Sequence, residues 1–288
     1  MTIYCYGSIN QDHIYALPHR LAPGETLAAD SYRVELGGKG ANQSVAAARA
    51  GAVVHHIGAV GAGGAQSQLA AFGIDVAGVQ VVAEATGHAI ILLEPGGENS
   101  IVIHPGANRA LDLDAAKAAL DGAEIGDLLL IQNETAHVAE MAEHAMGLGM
   151  EVIYSAAPFD AKAAAAVLPF TNMLILNAVE AQQLQDSLGV PFEDLPVETV
   201  IVTKGADGAS WHARGTPEIH VPAMAAQVVD TTGAGDCFTG ALAAALDEVM
   251  LPQDAMRFAA AAAGLQVGRK GTAGAMPSRA EIDAALAG

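Results

Sequence analysis

Short, nearly unbroken apolar runs recur along the chain: TIYCYGSI (2–9), VVHHIGAV (53–60), DLLLIQ (127–132), EVIYSA (151–156), MLILN (173–177) and TVIVTKG (199–205). A strand with one face in water alternates apolar and polar residues, so runs this continuous predict strands covered on both faces, the habit of parallel sheets. Between them lie Ala-rich stretches of helical period at 41–50, 112–121, 135–149, 160–168, 179–188, 234–249 and 253–268. In the first, Ala41, Val45 and Ala48 fall at i, i+4 and i+7, one face of a helix. This alternation predicts an α/β fold with a doubly wound, mainly parallel, Rossmann-like sheet. With no internal repeat and no Pro- or Ser-rich linker, residues 1–288 read as a single domain.

Two regions break the rhythm. HIYAL with LAADSYRVELGG, and GHAIILLE with NSIVIHPG, are strand-like pairs with no helix between their members, and PGGE joins the second pair as a hairpin-type connection. They predict a small separate β-sheet, a lid, from about 11–36 and 87–105.

Composition narrows the function. The chain is 52% hydrophobic but only 4% aromatic, so its core is built from Ala, Val, Leu and Ile around Gly. A net charge of −19 opposes any long phosphate backbone, which sets nucleic acid aside. No apolar run reaches the roughly 18 residues of a membrane span, and MTIYCYGSINQD has no basic leader, so the expected location is the cytoplasm. Cys5 and Cys237 are too few for a disulfide framework or a thiolate metal site and are expected to pack. The ten histidines lack ligand spacing, and neighbouring His55 and His56 on a strand point to opposite faces.

Two glycine turns carry candidate chemistry. LGGKGANQS (36–44) is a turn feeding a helix, but Gly40 after Lys39 rules out a Walker loop. A tight connection explains its glycines; it does not explain Asn42, an amide one turn into the helix. In VVDTTGAGDCFTG (228–240), Gly233, Ala234 and Gly235 are able to present consecutive amides to an anion. Asp236 follows them. An acid in a first helical turn ordinarily only complements the helix dipole, but Asp230, Thr231 and Thr232 already offer caps. A carboxylate beside an amide nest suits a general base acting next to a phosphoryl group.

GSINQDH, GGKGANQS, NAVE, VTKGADG and DTTGAGDCFTGAL occur in the order and approximate spacing seen in the ribokinase-like (PfkB) carbohydrate kinases. The resemblance runs from Gly7 to about Pro277. It implies an ATP-dependent kinase whose lid closes over a sugar and forms a homodimer contact, with Mg2+ as cofactor and K+ as activator. D-ribose phosphorylated at its 5-hydroxyl is the first expectation; another sugar, a nucleoside, or an idle regulator that only binds sugar or nucleotide are the alternatives. The resemblance places Asn10, Asp12, Gly38, Lys39, Asn42 and Glu134 on the sugar. It assigns Asn177 and Glu180 to hydrated magnesium and phosphates, and Lys204 and Gly205 to the nucleotide. Gly233, Ala234 and Gly235 become the anion hole, Gly235 also touching nucleotide, and Asp236 the base. Asp230, Thr232 and Gly271, with the loop RKGTAGA, are implied for the monovalent cation. Two segments depart from the family pattern: AGGAQSQLAAFGID after Gly61 is short and uncharged at its turn, and VPFEDLPVE after Gly189 stands where a helix is usual.

Overall fold

The computed structural model describes residues 1–95 and 99–288. Its strands are β1 (Ile3–Tyr6), β2 (Asn10–Ala16), β3 (Ser31–Gly37), β4 (Val54–Val60), β5 (Asp75–Val81), β6 (Gly87–Leu93), β7 (Asn99–His104), β8 (Leu128–Gln132), β9 (Glu151–Ser155), β10 (Met173–Asn177), β11 (Thr199–Thr203), β12 (Ala209–Ala213) and β13 (Ile219–Val221). The helices are α1 (Lys39–Arg49), α2 (Ala65–Ala70), α3 (Leu113–Ala118), α4 (Val138–Gly147), α5 (Ala161–Val167), α6 (Ala178–Leu188), α7 (Ala234–Asp247), α8 (Pro252–Val267) and α9 (Arg279–Ala287).

Nine strands form the main sheet in the order β13-β12-β11-β10-β9-β8-β1-β4-β5. Pairing is parallel from β5 to β11, and β12 and β13 add an antiparallel margin. The continuous apolar runs follow from this placement. Along β1, Ile3 and Cys5 enter the core shared with α1, α7 and α8, while Tyr4 and Tyr6 enter the core under α3 to α6. β8 divides the same way, Leu128 and Leu130 against Leu129 and Ile131. With both faces covered, a polar residue is accommodated only where it finds a buried partner, as Gln132 does on β8 and His56 on β4.

The second sheet holds four strands in the order β3-β2-β6-β7. Its outer pairs are antiparallel and its central pair, β2 with β6, is parallel. The PGGE connection occupies 95–98, and 96–98 lie outside the described residues. β7 is an edge strand with three consecutive exposed apolar side chains, Ile101, Val102 and Ile103.

Several local expectations are corrected. Helix α1 is buried from Gly40 to Ala47, all round rather than on the one stripe of Ala41, Val45 and Ala48, because α7 covers it as well as the sheet. β5, β12 and β13, and helices α2 and α9, are additional to the predicted elements. α2 has only six residues, and a single 3-10 turn, Phe192–Asp194, replaces a helix before β11, so both short segments trim the periphery.

Candidate active site

The carboxyl ends of β1 and β8 lie side by side where strand order runs outward in both directions from β1, the place where open α/β sheets bind ligands. Helix α1 leaves this edge and packs along α7. Gly240 makes that approach possible: a Cβ there would stand 2.3 Å from the Gln43 carbonyl oxygen. The two motif turns, far apart in sequence, therefore meet.

At their meeting point Asp236 is 7% exposed. Its Oδ2 accepts from Asn42 Nδ2 at 3.0 Å and its Oδ1 from Gln43 Nε2 at 3.1 Å. Gln43 Oε1 in turn accepts from Gln132 Nε2 at 2.8 Å, so a buried amide relay runs from β8 to the carboxylate. Burial raises the Asp236 pKa, and the Lys39 charge and the two amides oppose the rise. The reciprocal attraction raises the Lys39 pKa, chiefly through Asp236, and keeps its ammonium charged. Asn42 thus meets the Asp236 side chain, and its Oδ1 is buried with no protein partner.

Helix α7 starts without a side-chain cap, from Gly233 in the left-handed region at φ 80°. The caps expected from Asp230, Thr231 and Thr232 are not made: Asp230 Oδ1 accepts instead from Thr232 N at 2.9 Å and its Oδ2 from Gly271 N at 3.1 Å. The anion nest also differs in detail, because the Ala234 N–H donates to Thr231 O at 3.2 Å. Among the described residues, the amides of Gly233, Gly235 and Asp236 donate to no backbone carbonyl. An uncapped N-terminus with free amides and a positive dipole end attracts an anion.

On the lid side, Asn10 and Asp12 begin β2 and, two positions apart, share a face of that strand. Asn10 Oδ1 accepts from Asn108 Nδ2 at 2.8 Å, and Asn108 Oδ1 accepts from Ile9 N at 3.0 Å, which fixes the start of the strand. Asp12 lies over Gly37, where a Cβ would come within 2.0 Å of Oδ2. Burial pushes its pKa up to about 7, reinforced by the charges of Glu134, Glu35 and Asp236. Glu134 Oε2 accepts from the Ser8 hydroxyl and from Lys39 N at 3.1 Å, so the glycine turn carrying Gly38 and Lys39 is tied to β8.

A cleft of about 220 Å³ extends from Asp236 along the ends of β9, β10 and β11. Lys39, Asn177, Glu180, Gly233, Ala234 and Gly235 line it. Asn177 and Glu180 form a reciprocal capping box on α6: Asn177 Oδ1 accepts from the N–H of Val179 and Glu180, and Glu180 Oε2 accepts from Asn177 N. That leaves the second Glu180 oxygen for the cleft. Lys204 and Gly205 are not part of this lining; Lys204 Nζ turns to Ser210 Oγ at 2.6 Å and toward Glu218. A larger hollow, about 340 Å³ and bordered by Phe192, His212 and Arg214, lies at β11 and β12 and contains none of the predicted residues.

Asp230, Thr232 and Gly271 are brought together, but by protein donors. Burial works against the Asp230 charge, yet the N–H groups of Thr232 and Gly271 outweigh it and hold its pKa low. The carbonyls of Thr232 and Gly271 both accept from Gln266 Nε2, at 2.7 and 3.1 Å. The cysteines pack as expected: burial pushes the Cys5 thiol up to about 11 and Cys237 further. His56 faces inward, between Ser44 Oγ and Gly7 O, and His55 outward on Tyr4. No group of three or more candidate ligands forms a metal cluster among the described residues. No described helix is long and apolar enough to cross a membrane.

The sequence reading missed Ser8, Gln43, Asn108, Gln132 and Gln266. Ser8 lies within GSINQDH and Gln43 adjoins Asn42 within GGKGANQS; Asn108, Gln132 and Gln266 have no local signal, since a buried amide matters only through the partner that the fold supplies.

Comparison with known proteins completes the picture. The pfkB family carbohydrate kinase model matches residues 2–279. Ribokinase of Haemophilus influenzae is 35% identical over 296 residues, covering 97% of this chain and 96% of that one. Deoxyribokinase of Salmonella typhimurium is 32% identical over 300 residues, covering 96% of each. The structure of Arabidopsis thaliana ribokinase complexed with ribose and ATP superposes with a TM-score of 0.87 at 29% identity, covering 99% of this chain and 98% of that one.

Proposed function

The chain belongs to the pfkB family of carbohydrate kinases, and from that premise we propose that it transfers the γ-phosphoryl group of ATP to the 5-hydroxyl of D-ribose. The observation that carries this reading is Asp236, a buried carboxylate held by two amides beside an uncapped helix N-terminus at the end of a cleft. Ribose is the substrate bound by the Arabidopsis relative.

In this reading the sugar lies under the lid sheet, its hydroxyls donating to Asp12 and Glu134 and meeting Asn10, Asn42 and the Gly38–Lys39 turn. The unpartnered Asn42 Oδ1 supports a donor arriving there. ATP lies along the cleft with its γ-phosphoryl group at the first turn of α7 and its remainder toward Lys204 and Gly205. Asp236 takes the proton of the 5-hydroxyl as that oxygen attacks. The new oxygen–phosphorus bond forms while the bond between the β-bridging oxygen and the γ-phosphorus breaks, and ADP departs. Burial raises the Asp236 pKa, which makes its carboxylate a stronger base than one in water. The free amides of Gly233, Gly235 and Asp236 and the Lys39 ammonium face the developing charge, a fixed arrangement that needs no reorganisation.

Magnesium fits the residues implied for it. Glu180 offers an oxygen ligand, and the capping box fixes its side chain. When bound, the ion neutralises phosphate charge. Asp230, Thr232 and Gly271 offer a monovalent cation no shared free point: the Asp230 oxygens accept from the N–H groups of Thr232 and Gly271, and the carbonyls of those two accept from Gln266 Nε2. The exposed apolar side chains of Ile101, Val102 and Ile103 on β7 support the lid as a homodimer contact, and the expected location remains the cytoplasm.

ADP release, measured across D-ribose, 2-deoxyribose, fructose, 2-keto-3-deoxygluconate, adenosine and pseudouridine, tests the substrate. D-ribose should give the highest kcat/KM. Equal or better use of 2-deoxyribose would shift the reading toward the Salmonella relative, and a nucleoside preference would overturn it.

A further inference from the structure

Gln266 sits in the last turn of α8 with 0% of its side chain exposed, an expensive place for an amide unless it is bonded. Both N–H groups of its Nε2 are used, one on Thr232 O at 2.7 Å and one on Gly271 O at 3.1 Å. Its Oε1 is buried and accepts nothing. The reverse amide orientation would set an oxygen against two carbonyl oxygens, so the donor end is fixed where it stands. Thr232 immediately precedes Gly233, the residue from which α7 begins, and the Gly271 loop is the other wall of the same site. Asp230 ties the same two segments through their N–H groups. The 230–232 loop and the 271 turn are therefore clasped twice, by an acceptor for their donors and by a donor for their acceptors.

We propose that Gln266 stands in place of the monovalent cation, aligning the free amides of the α7 first turn through Thr232 and Gly271, so that this enzyme turns over without K+. An ion at the point both carbonyls face would have to displace the amide nitrogen and strand its two N–H groups in a buried site. The donor group is neutral, and the Asp230 carboxylate is stabilised by the N–H groups of Thr232 and Gly271, the Thr232 hydroxyl and the charge of Arg33. Gln266 touches no substrate and acts as a positioning residue. The inference rests on the kinase reading for its effect on turnover, and on the hydrogen bonds alone for its effect on cation binding.

The test compares wild type, Gln266→Ala and Gln266→Met in KCl, NaCl and tetramethylammonium chloride at constant ionic strength, reading both ribose-dependent ADP release and Tm. Wild-type turnover should agree among the salts within about twofold, with no K+-specific rise in Tm. Gln266→Ala opens a space lined by two carbonyls: its turnover in tetramethylammonium should fall by about tenfold or more, and K+ should restore it while raising Tm, as a ligand of the native state does. Gln266→Met fills the same space without a donor, so its lost turnover should not return with K+. A simple packing role for Gln266 would make K+ irrelevant to all three proteins. Activation of wild type by K+ of threefold or more, about 0.65 kcal/mol, together with a rise in Tm, would overturn the proposal. So would a folded Gln266→Ala with undiminished turnover in tetramethylammonium. If that variant fails to fold, wild type decides. Absence of ADP release in every salt would sink the kinase reading instead, while the Tm comparison would still report on the cation.

Discussion

Asp12 should weaken the free protein as pH rises, and removing its charge should make the fold more stable and the enzyme worse. Its pKa is raised from 3.8 to about 7 by burial first and by the nearby charges of Glu134, Glu35 and Asp236 second. Below the unfolded value both states hold the proton, and the group has no effect on stability. Between that value and 7 the unfolded chain has released a proton that the folded chain retains, so stability falls with pH; above 7 the loss is complete and constant. About three pH units at 1.36 kcal/mol each set a ceiling near 4 kcal/mol, and a site open to some water should realise about 2 of it. Urea unfolding of wild type and Asp12→Asn at pH 4.5 and pH 8 measures the effect. The variant should gain on wild type by about 2 to 3 kcal/mol between the two pH values. Its KM for ribose should rise steeply, because one of the two acceptor oxygens becomes a donor and the charge that strengthens both hydrogen bonds is lost, and wild-type KM should rise as pH falls below 7 because protonation likewise turns one oxygen into a donor. A stability difference that does not change with pH would refute this account of Asp12.

Gln43→Met removes one of the two donors to Asp236 and leaves burial less opposed, so the acidic limb of the kcat–pH profile should move upward. A hydrogen bond to a charged group is worth about 1.5 to 3 kcal/mol, which is one to two pH units, with most of the turnover regained at pH 9. A uniform loss at all pH values would mean that Gln43 serves packing alone. Gly240→Ala puts a methyl group 2.3 Å from the Gln43 carbonyl oxygen and forces α1 away from α7. It should destabilise the fold by about 1 to 3 kcal/mol in urea and lower turnover, because Asn42 and Gln43 move with α1. An unchanged midpoint would show that the two helices have room to spare.

The strands buried on both faces were readable because such burial demands runs of consecutive apolar residues, and the central positions of β1, β8, β9, β10 and β11 have them. β5 escaped notice because it is an edge strand interrupted by Gly78, and β12 and β13 because they are short and partly polar. Helix α9 did carry a signal, Ser278 followed three residues later by Glu281, whose carboxylate accepts from Ser278 N at 2.8 Å. In the site, Asp236 and Asn42 stood out because each was poorly explained by its own turn. Their contact spans 194 positions and depends on the α1–α7 packing, which no local pattern announces. The cation expectation overlooked Gln266 for a related reason. Asp230, Thr232 and Gly271 are brought together, but Gln266 reaches the carbonyls of the latter two from the last turn of α8, where a sequence reading sees only another helical residue.

The central claim is that the buried carboxylate between α1 and α7 is the base of a phosphoryl transfer to ribose. Asp236→Asn tests it most directly when turnover and binding are measured on the same sample. The shape of the side chain is preserved and its basicity lost, so ribose and ATP Kd values should stay within a few-fold while kcat falls by about 10² to 10⁴. A variant that binds both ligands and keeps more than about half of wild-type kcat would contradict the assignment of Asp236 and the mechanism built on it.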